Sequence, residues 1–301
     1  FPSMRLGAWL LAVGIFCIAN AGAREVVFAC YNVENYLPMS RKVDDRFVPD
    51  APKPDKEIRA LISAIKSIKP DILGVAEMGH QIMLADFQRR LREAGMDFPY
   101  LEWVRGDEGS ERHLALLSKF PIVARDSQSD VPLELDGRRY RMGRGILDVT
   151  VQVTPDYQLR MIGLHLKSKR AVPMYDQQKF RAKEALIVRS RLNQILAADP
   201  NQNLLLFGDL NDTKNEFPIR EILGPSNSPA SLRDLPLRDR DGLTWTHFWD
   251  NADLYSRIDF LMASRGLWPE IRLNRSGISS SRHTREASDH RPIYTTIDAD
   301  E

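Results

Sequence analysis

Five apolar runs in this chain end on, or begin with, a residue that can hold a metal ion or move a proton. Ser288-Asp289-His290-Arg291-Pro292-Ile293 sets an acid directly before a histidine, Gly208-Asp209-Leu210-Asn211 follows the run Leu204 to Phe207, and Arg257-Ile258-Asp259 leads into Phe260-Leu261-Met262. Glu77 follows Asp71 to Ala76, and His165 follows Leu159 to Leu164. Taken singly, each has an ordinary explanation: a surface acid, a turn former, or a strand-edge ion pair between Arg257 and Asp259. Their recurrence at strand ends points to one site assembled from distant segments. Carboxylates and amides are hard oxygen ligands suited to magnesium. Imidazole titrates near neutrality and can take a proton from water. That combination suits a phosphodiester, whose anionic oxygens repel a nucleophile until charge is neutralised and water is activated.

The elements that must position these residues are legible in the hydrophobic pattern. Glu25 to Tyr31 reads as a strand ending at Asn32. Ile58, Leu61, Ile62, Ile65 and Ile68 recur at helical spacing, so Lys56 to Lys69 is predicted to be an amphipathic helix stopped by Pro70. Asp71 to Ala76 is then a buried strand, and a second helix spans Ile82 to Ala94, before Gly95. Strands follow at Tyr100 to Val104, His113 to Leu117, Ile146 to Val153 and Leu159 to Leu164. A helix over Asp176 to Leu196 precedes the strands Leu204 to Phe207 and Arg257 to Met262, with a long loop region between them, and Pro292 to Ile297 is the last strand. The serine-rich stretch Ser276 to Ser281 is expected to be a loop. Helices interspersed with many strands predict two sheets packed face to face with helices outside.

In chain order, Asn32, Glu77, His165, Asp209 with Asn211, Asp259 and Asp289-His290 resemble the endonuclease/exonuclease/phosphatase superfamily, whose members include deoxyribonuclease I, exonuclease III and neutral sphingomyelinase. The resemblance covers essentially all of the chain after its first 23 residues. It implies a four-layer α/β sandwich, two packed mixed β-sheets flanked by helices. It also implies Glu77 as the main metal ligand, with Asn32 and Asp289 on the metal side. Magnesium is the expected ion, with manganese or calcium as alternatives. His290 becomes the general base, its tautomer set by Asp259 as in a His-Asp pair of a serine hydrolase. Asp209 and Asn211 position the attacking water and contact the phosphate, while His165 donates a proton to the leaving oxygen or stabilises phosphorane-like charge. Exonuclease III-type repair enzymes carry a tyrosine-bearing segment where His165 stands, a departure that argues against abasic-site repair.

Asn32-Val33-Glu34-Asn35 is similar in wording to secreted bacterial nucleases, and Lys167-Ser168-Lys169-Arg170 lies beside His165. Lys167 and Lys169 are therefore expected to hold a polyanionic strand, with nucleic acid as the substrate. Arg138-Arg139-Tyr140-Arg141 with Arg144 is a second candidate basic rim. The alternative substrate is a lipid or small phosphoester; for a sphingomyelinase, Trp245, Phe248, Trp249 and Tyr255 are the nearest candidates for an aromatic membrane-contacting hairpin, but they are read as loop packing near the site. A non-catalytic phosphate-ligand binding protein is disfavoured because every catalytic position is filled. The remaining histidines, His80, His113, His247 and His283, lack the close spacing of a zinc motif and are expected not to be ligands.

Composition bounds these readings. The chain has 301 residues and no linker-like tract or repeat, so residues 24–301 are expected to form one domain. One basic residue, Arg5, precedes an apolar run from Leu6 to Ala19 and then small residues, Ala19 to Ala23. This layout predicts a signal peptide over residues 1–23, of which 1–3 are extra residues upstream of its Met4, and a secreted or periplasmic protein with no membrane span in its mature part. Removal of the leader would leave Cys30 as the sole cysteine, with no internal disulfide, and equal numbers of basic and acidic residues. That balance speaks against a broad, sequence-independent coat on nucleic acid. No stable protein partner is expected.

Overall fold

A computed structural model describes residues 24–107 and 110–299, so the expected signal peptide lies outside the described residues. Two six-stranded sheets dominate. The first has the order β17 (Ile271–Ile278), β18 (Ile293–Ala299), β1 (Arg24–Tyr36), β4 (Ile72–Met78), β6 (His113–Ser118) and β5 (Tyr100–Val104). The second runs β13 (Arg233–Asp234), β16 (Asp259–Ala263), β12 (Leu204–Asp209), β11 (Gln158–His165), β10 (Leu147–Gln152) and β7 (Ile122–Arg125). Each sheet contains one parallel pair, β1 with β4 and β11 with β12, among antiparallel neighbours. Three two-stranded ribbons complete the strands: β2 (Met39–Val43) with β3 (Arg46–Ala51), β8 (Pro132–Leu135) with β9 (Arg138–Arg141), and β14 (His247–Trp249) with β15 (Leu254–Ser256).

Helices α1 (Asp55–Ile68) and α2 (Gln81–Glu93) cover the outer face of the first sheet, where Leu61, Ile65, Phe87 and Leu91 meet Leu73 and Val75. Helices α3 (Gln177–Ala198) and α4 (Phe217–Leu223) cover the second, where Phe180, Val188 and Ile219 meet Leu164, Leu206 and Met262. A third apolar cluster, including Phe28, Leu116, Val149, Met161, Phe207 and Leu261, lies between the sheets. The central strands are thus buried on both faces, which is why they read as continuous apolar runs. The architecture is the expected mixed α/β sandwich of two packed sheets flanked by helices. A short helix, α5 (Thr284–Ala287), precedes the Ser288-Asp289-His290 segment.

Local chemistry sets the element ends. Asp55 and Glu57 in the first turn of α1 favour the positive end of the helix dipole, and Lys69 takes a left-handed conformation at its C-terminus immediately before Pro70. Asp176 caps α3 by accepting the Lys179 N–H at 2.8 Å, so it flanks the helix instead of beginning it. Phe207 needs both glycines that face it: a Cβ on Gly74 would lie 2.2 Å from Cε2 of the ring and one on Gly163 would lie 2.7 Å from Cζ.

Three expectations need correction. β1 passes through Asn32 and ends at Tyr36 after a register irregularity. Ser276 lies within β17, where its hydroxyl bonds the Arg272 carbonyl and Thr295. The long region between β12 and β16 carries α4, β13 and the β14–β15 hairpin. Short strands with exposed faces, such as Leu254–Ser256, lack the apolar alternation that would announce them.

Candidate active site

Adjacent strands carry the site residues in register. His165 pairs with Asp209 across β11 and β12, and Asp209 pairs with Asp259 across β12 and β16, so the three stand in a row across one sheet end. Asn32 and Glu77 come from the parallel pair β1 and β4 of the other sheet. Several strand ends then turn through left-handed backbone: Glu34, Asn35, Glu77 and Asn211 have φ of 46°, 56°, 62° and 52°. Such conformations are uncommon for residues with a Cβ and cost roughly 1–3 kcal/mol each. Hydrogen bonds offset them here. The Asn35 N–H donates to Glu77 Oε2 at 3.0 Å, the Glu34 N–H donates to Asn32 Oδ1 at 3.0 Å, and the Asn211 N–H donates to Asp209 Oδ1 at 2.9 Å.

The turn after Asn32 also ties the last segment into place. The Asp289 N–H donates to Glu34 Oε2 at 3.0 Å, and the Ser288 hydroxyl donates to the Asn32 carbonyl at 2.8 Å. Desolvation by burial and the nearby Asp289 carboxylate push Glu34 up to about 7, against the Lys53 charge. Glu34 and Ser288 thereby hold the histidine-bearing loop against β1.

His290 is buried, and its Nδ1 lies 2.8 Å from Asp259 Oδ2. Its Nε2 faces Asn32 Nδ2 at 3.4 Å and Asp209 Oδ2 at 3.6 Å. Burial opposes the imidazolium, but Asp259, Asp209, the hydrogen bond to Asp259 and Asp289 outweigh it and hold His290 well above the usual imidazole range. Burial pushes the Asp209 carboxyl up to about 7, against the pull of His290; Asn32 Nδ2 donates to its Oδ2 at 3.0 Å. His165 behaves oppositely: burial, Arg144, His290 and Arg112 hold it well below the usual range, which favours the neutral ring. Its Nε2 lies 3.5 Å from Asp209 Oδ2 and 4.0 Å from Glu77 Oε1.

The donors suit a hard divalent cation. Glu77 Oε2 is held by Asn35 and lies 3.6 Å from Arg112 Nε, while Oε1 has no hydrogen bond among the described residues and faces the space beside His165. Asp289, with its side chain 42% exposed, offers a second carboxylate. Two other sets have ligand atoms within 4.8 Å of one another: Asp209, Asp259 and His290, and His247, Asp289 and His290. Asp289 therefore groups with the histidines and not with Glu77. Asn32 spends its amide on Asp209 and Glu34, which makes it an organiser of the carboxylates.

The structure brings together Asn32, Glu77, His165, Asp209, Asn211, Asp259, Asp289 and His290. Asn211 donates one amide hydrogen to the Leu166 carbonyl at 3.0 Å. The Arg257–Asp259 ion pair is excluded: Arg257 grips Asp234 with two bonds of 2.9 and 2.5 Å. Lys167 and Lys169 do not present free ammonium groups to a polyanion, contrary to expectation. Lys167 is 9% exposed and donates to the Ser168 carbonyl, the Ser168 hydroxyl and the Arg170 carbonyl, so its charge closes its own loop. Lys169 pairs with Asp212 Oδ1 at 2.9 Å, and Asp212 also binds the buried Arg181. His247 was the residue missed. Its Nε2 lies 3.6 Å from Asp289 Oδ2, and its ring centroid is 4.7 Å from that of His290. Thr246 beside it accepts the Asp259 N–H at 3.1 Å. Neither carries a sequence signal, because Thr246 and Ser288 stand 42 positions apart.

Comparison with known proteins agrees with this fold. Truncated Caenorhabditis elegans TDP2 superposes with a TM-score of 0.62 at 17% identity, covering 91% of this chain and 98% of that one. The human Nocturnin catalytic domain gives 0.61 at 15%, covering 90% and 93%. Sphingomyelinase C from Streptomyces griseocarneus gives 0.59 at 15%, covering 91% and 99%. At these identities the likeness concerns the fold. No curated protein matches the sequence. The model of the Endonuclease/Exonuclease/phosphatase family matches residues 29–290, a span that begins before Asn32 and closes on His290, and the chain belongs to that family of phosphoric ester hydrolases.

Proposed function

We propose that the protein is an exported, divalent-metal-dependent nuclease, a single domain over residues 24–301, that hydrolyses phosphodiester bonds by direct attack of water. The observation that carries the chemistry is the His290 ring, pinned by Asp259 at 2.8 Å while its Nε2 faces Asn32 and Asp209. A water held there gives its proton to Nε2 as its oxygen bonds to phosphorus and the P–O bond to the leaving group breaks, the leaving oxygen taking a proton from solvent, and Asp259 stabilises the imidazolium that forms. Asn32 and the Asp209–Asn211 turn fix the direction of attack. Neutral His165 serves as a hydrogen-bond donor to the phosphoryl oxygens, since its depressed pKa disfavours a charged acid. Glu77, with Asp209, would hold magnesium, which supplies charge neutralisation at the phosphate.

Nucleic acid is favoured over lipid by the Asn32-Val33-Glu34-Asn35 turn and by the character of the cleft beside His290. The lipid reading draws on the exposed Trp249, Leu254 and Tyr255 of the β14–β15 hairpin. The acidic tip between its strands, Asp250 and Asp253, counts against insertion into a membrane. No helix among the described residues is long and apolar enough to cross a membrane. The test is a panel of plasmid DNA, single-stranded DNA, RNA, sphingomyelin and a chromogenic bis-phosphodiester, each with magnesium, manganese, calcium or chelator. Cleavage of nucleic acid that chelator abolishes is expected; hydrolysis of sphingomyelin alone would overturn the nuclease reading. Export is checked by fractionating the native host.

A further inference from the structure

A cleft of about 540 Å³ opens directly onto His290. Its lining includes the aromatic rings of Phe248 and Tyr255 from the hairpin and the side chains of Arg282 and Arg285. We infer that this cleft receives one unstacked nucleotide flanking the scissile phosphate, with its base against Tyr255 and its outer phosphate on Arg282 and Arg285. The enzyme is then selective for single-stranded nucleic acid or unpaired ends. This inference rests on the nuclease reading.

The aromatic part of the lining is braced. Tyr255 lies 4.9 Å from Trp245 in an edge-on contact and 4.5 Å from Phe248 at 30°. The Arg291 guanidinium sits 4.2 Å from the centre of the Trp245 ring and is anchored by Asp239 and by the Ser279 carbonyl. Tyr255 nevertheless remains 53% exposed, so a ring positioned by its neighbours presents apolar surface. Stacking on an aromatic side chain binds any base and requires that the base be unpaired from its own stack.

Arg282 and Arg285 are exposed and have no ion pair among the described residues. Most other cleft charges have a counterpart: Asp239 with Arg291, Arg240 with Asp241, and Asp289 with His247 and His290. Asp250, on the outer hairpin, is an acid of the cleft without an ion pair among the described residues. The volume suits a drug-sized or mononucleotide-sized group, for which clefts of roughly 300–1,000 Å³ are usual. A duplex, with its bases stacked inside, could not enter. A lipid surface would instead meet the hairpin tip, where Asp250 and Asp253 stand.

The test compares wild type, Tyr255→Ala, Tyr255→Phe and Arg282→Ala/Arg285→Ala on a single-stranded 12-mer, the matching blunt duplex, a chromogenic bis-phosphodiester and sphingomyelin vesicles. Wild type should prefer the single strand. Tyr255→Ala should lower kcat/KM on it by about tenfold or more, the effect of losing one stacked base, with Tyr255→Phe largely restoring it. The arginine double variant should flatten the salt dependence on the single strand by about 0.7 log units per lost phosphate contact. The losses on the small diester should be at least about tenfold smaller. Preference for duplex, an unaltered salt slope, or equal losses on both substrates would overturn the subsite while leaving a nuclease. A wild type that hydrolyses the diester or sphingomyelin but no nucleic acid would overturn the nuclease reading itself, and the subsite with it.

Discussion

Replacement of Asp259 by asparagine isolates what the His290–Asp259 pair contributes. Both residues are almost completely buried, 2.8 Å apart, and the Asp259 N–H is held independently by the Thr246 hydroxyl, so the substituted side chain should keep its place. What is lost is a charge that stabilises the imidazolium left when the neutral ring takes a proton from water. Breaking a buried pair from one side costs about 3–5 kcal/mol. At 1.36 kcal/mol per tenfold in rate, that predicts a fall in turnover of roughly 10²- to 10⁴-fold, the range of general-base catalysis. His290→Ala should lose a similar factor, and the double variant should be little worse than His290→Ala alone. The pH profile supplies an independent check. Burial lowers the His290 pKa, but Asp259 leads the causes that raise it well above the ordinary value. The base works deprotonated, so activity rises with pH through that pKa, and Asp259→Asn should move this acid limb to lower pH while lowering the plateau. Steady-state kinetics of a chromogenic diester across pH would decide the matter. Losses that multiply in the double variant, or an acid limb that stays in place, would refute the pairing.

Glu77→Gln should remove metal-dependent activity while retaining fold, because the amide can still accept the Asn35 N–H that Glu77 Oε2 now takes. Titration calorimetry with magnesium, beside circular dichroism, would show it, and wild-type magnesium affinity would exclude Glu77 as a ligand. Gly208→Ala should destabilise by about 2–4 kcal/mol, since φ is 143° and a Cβ would lie 1.9 Å from the Leu164 carbonyl oxygen; urea unfolding measures this, and a change under about 1 kcal/mol would count against the strain. His113 accepts the Gly106 N–H at 2.9 Å, and burial, His80 and Arg105 push it down to about 4. The unfolded chain therefore takes up a proton first as pH falls, and the fold should lose up to about 3 kcal/mol between about pH 6.5 and 4. His113→Phe should reduce that acid-dependent loss in urea titrations; an equal loss in both proteins would assign it elsewhere.

Local sequence determined the elements and which residues end them. The runs Leu204 to Phe207 and Ile72 to Ala76 are buried on both sheet faces, so their apolar character was bound to show, and the acids Asp209 and Glu77 mark where the apolar runs stop. The spacing of Ile58, Leu61 and Ile65 likewise declares the face of α1 that packs on the first sheet. The family motif then named eight of the side chains that now meet. Partner choice was another matter, because a charged side chain is satisfied by whatever the packed chain sets beside it. Nothing near Lys167 in sequence says that three oxygens of its own loop would enclose its ammonium group. Nothing near Arg257 says that Asp234, and not Asp259, would take its guanidinium. His247 became part of the site only when the β14–β15 hairpin laid it against His290 in an isolated bridge. The aromatic and arginine residues of the cleft are likewise contributed by segments with no common pattern. Hydrophobic periodicity acts over a few residues and survives in the linear code, whereas the pairing of polar groups is decided by contacts between residues tens to hundreds of positions apart, and only the tertiary structure closes those loops.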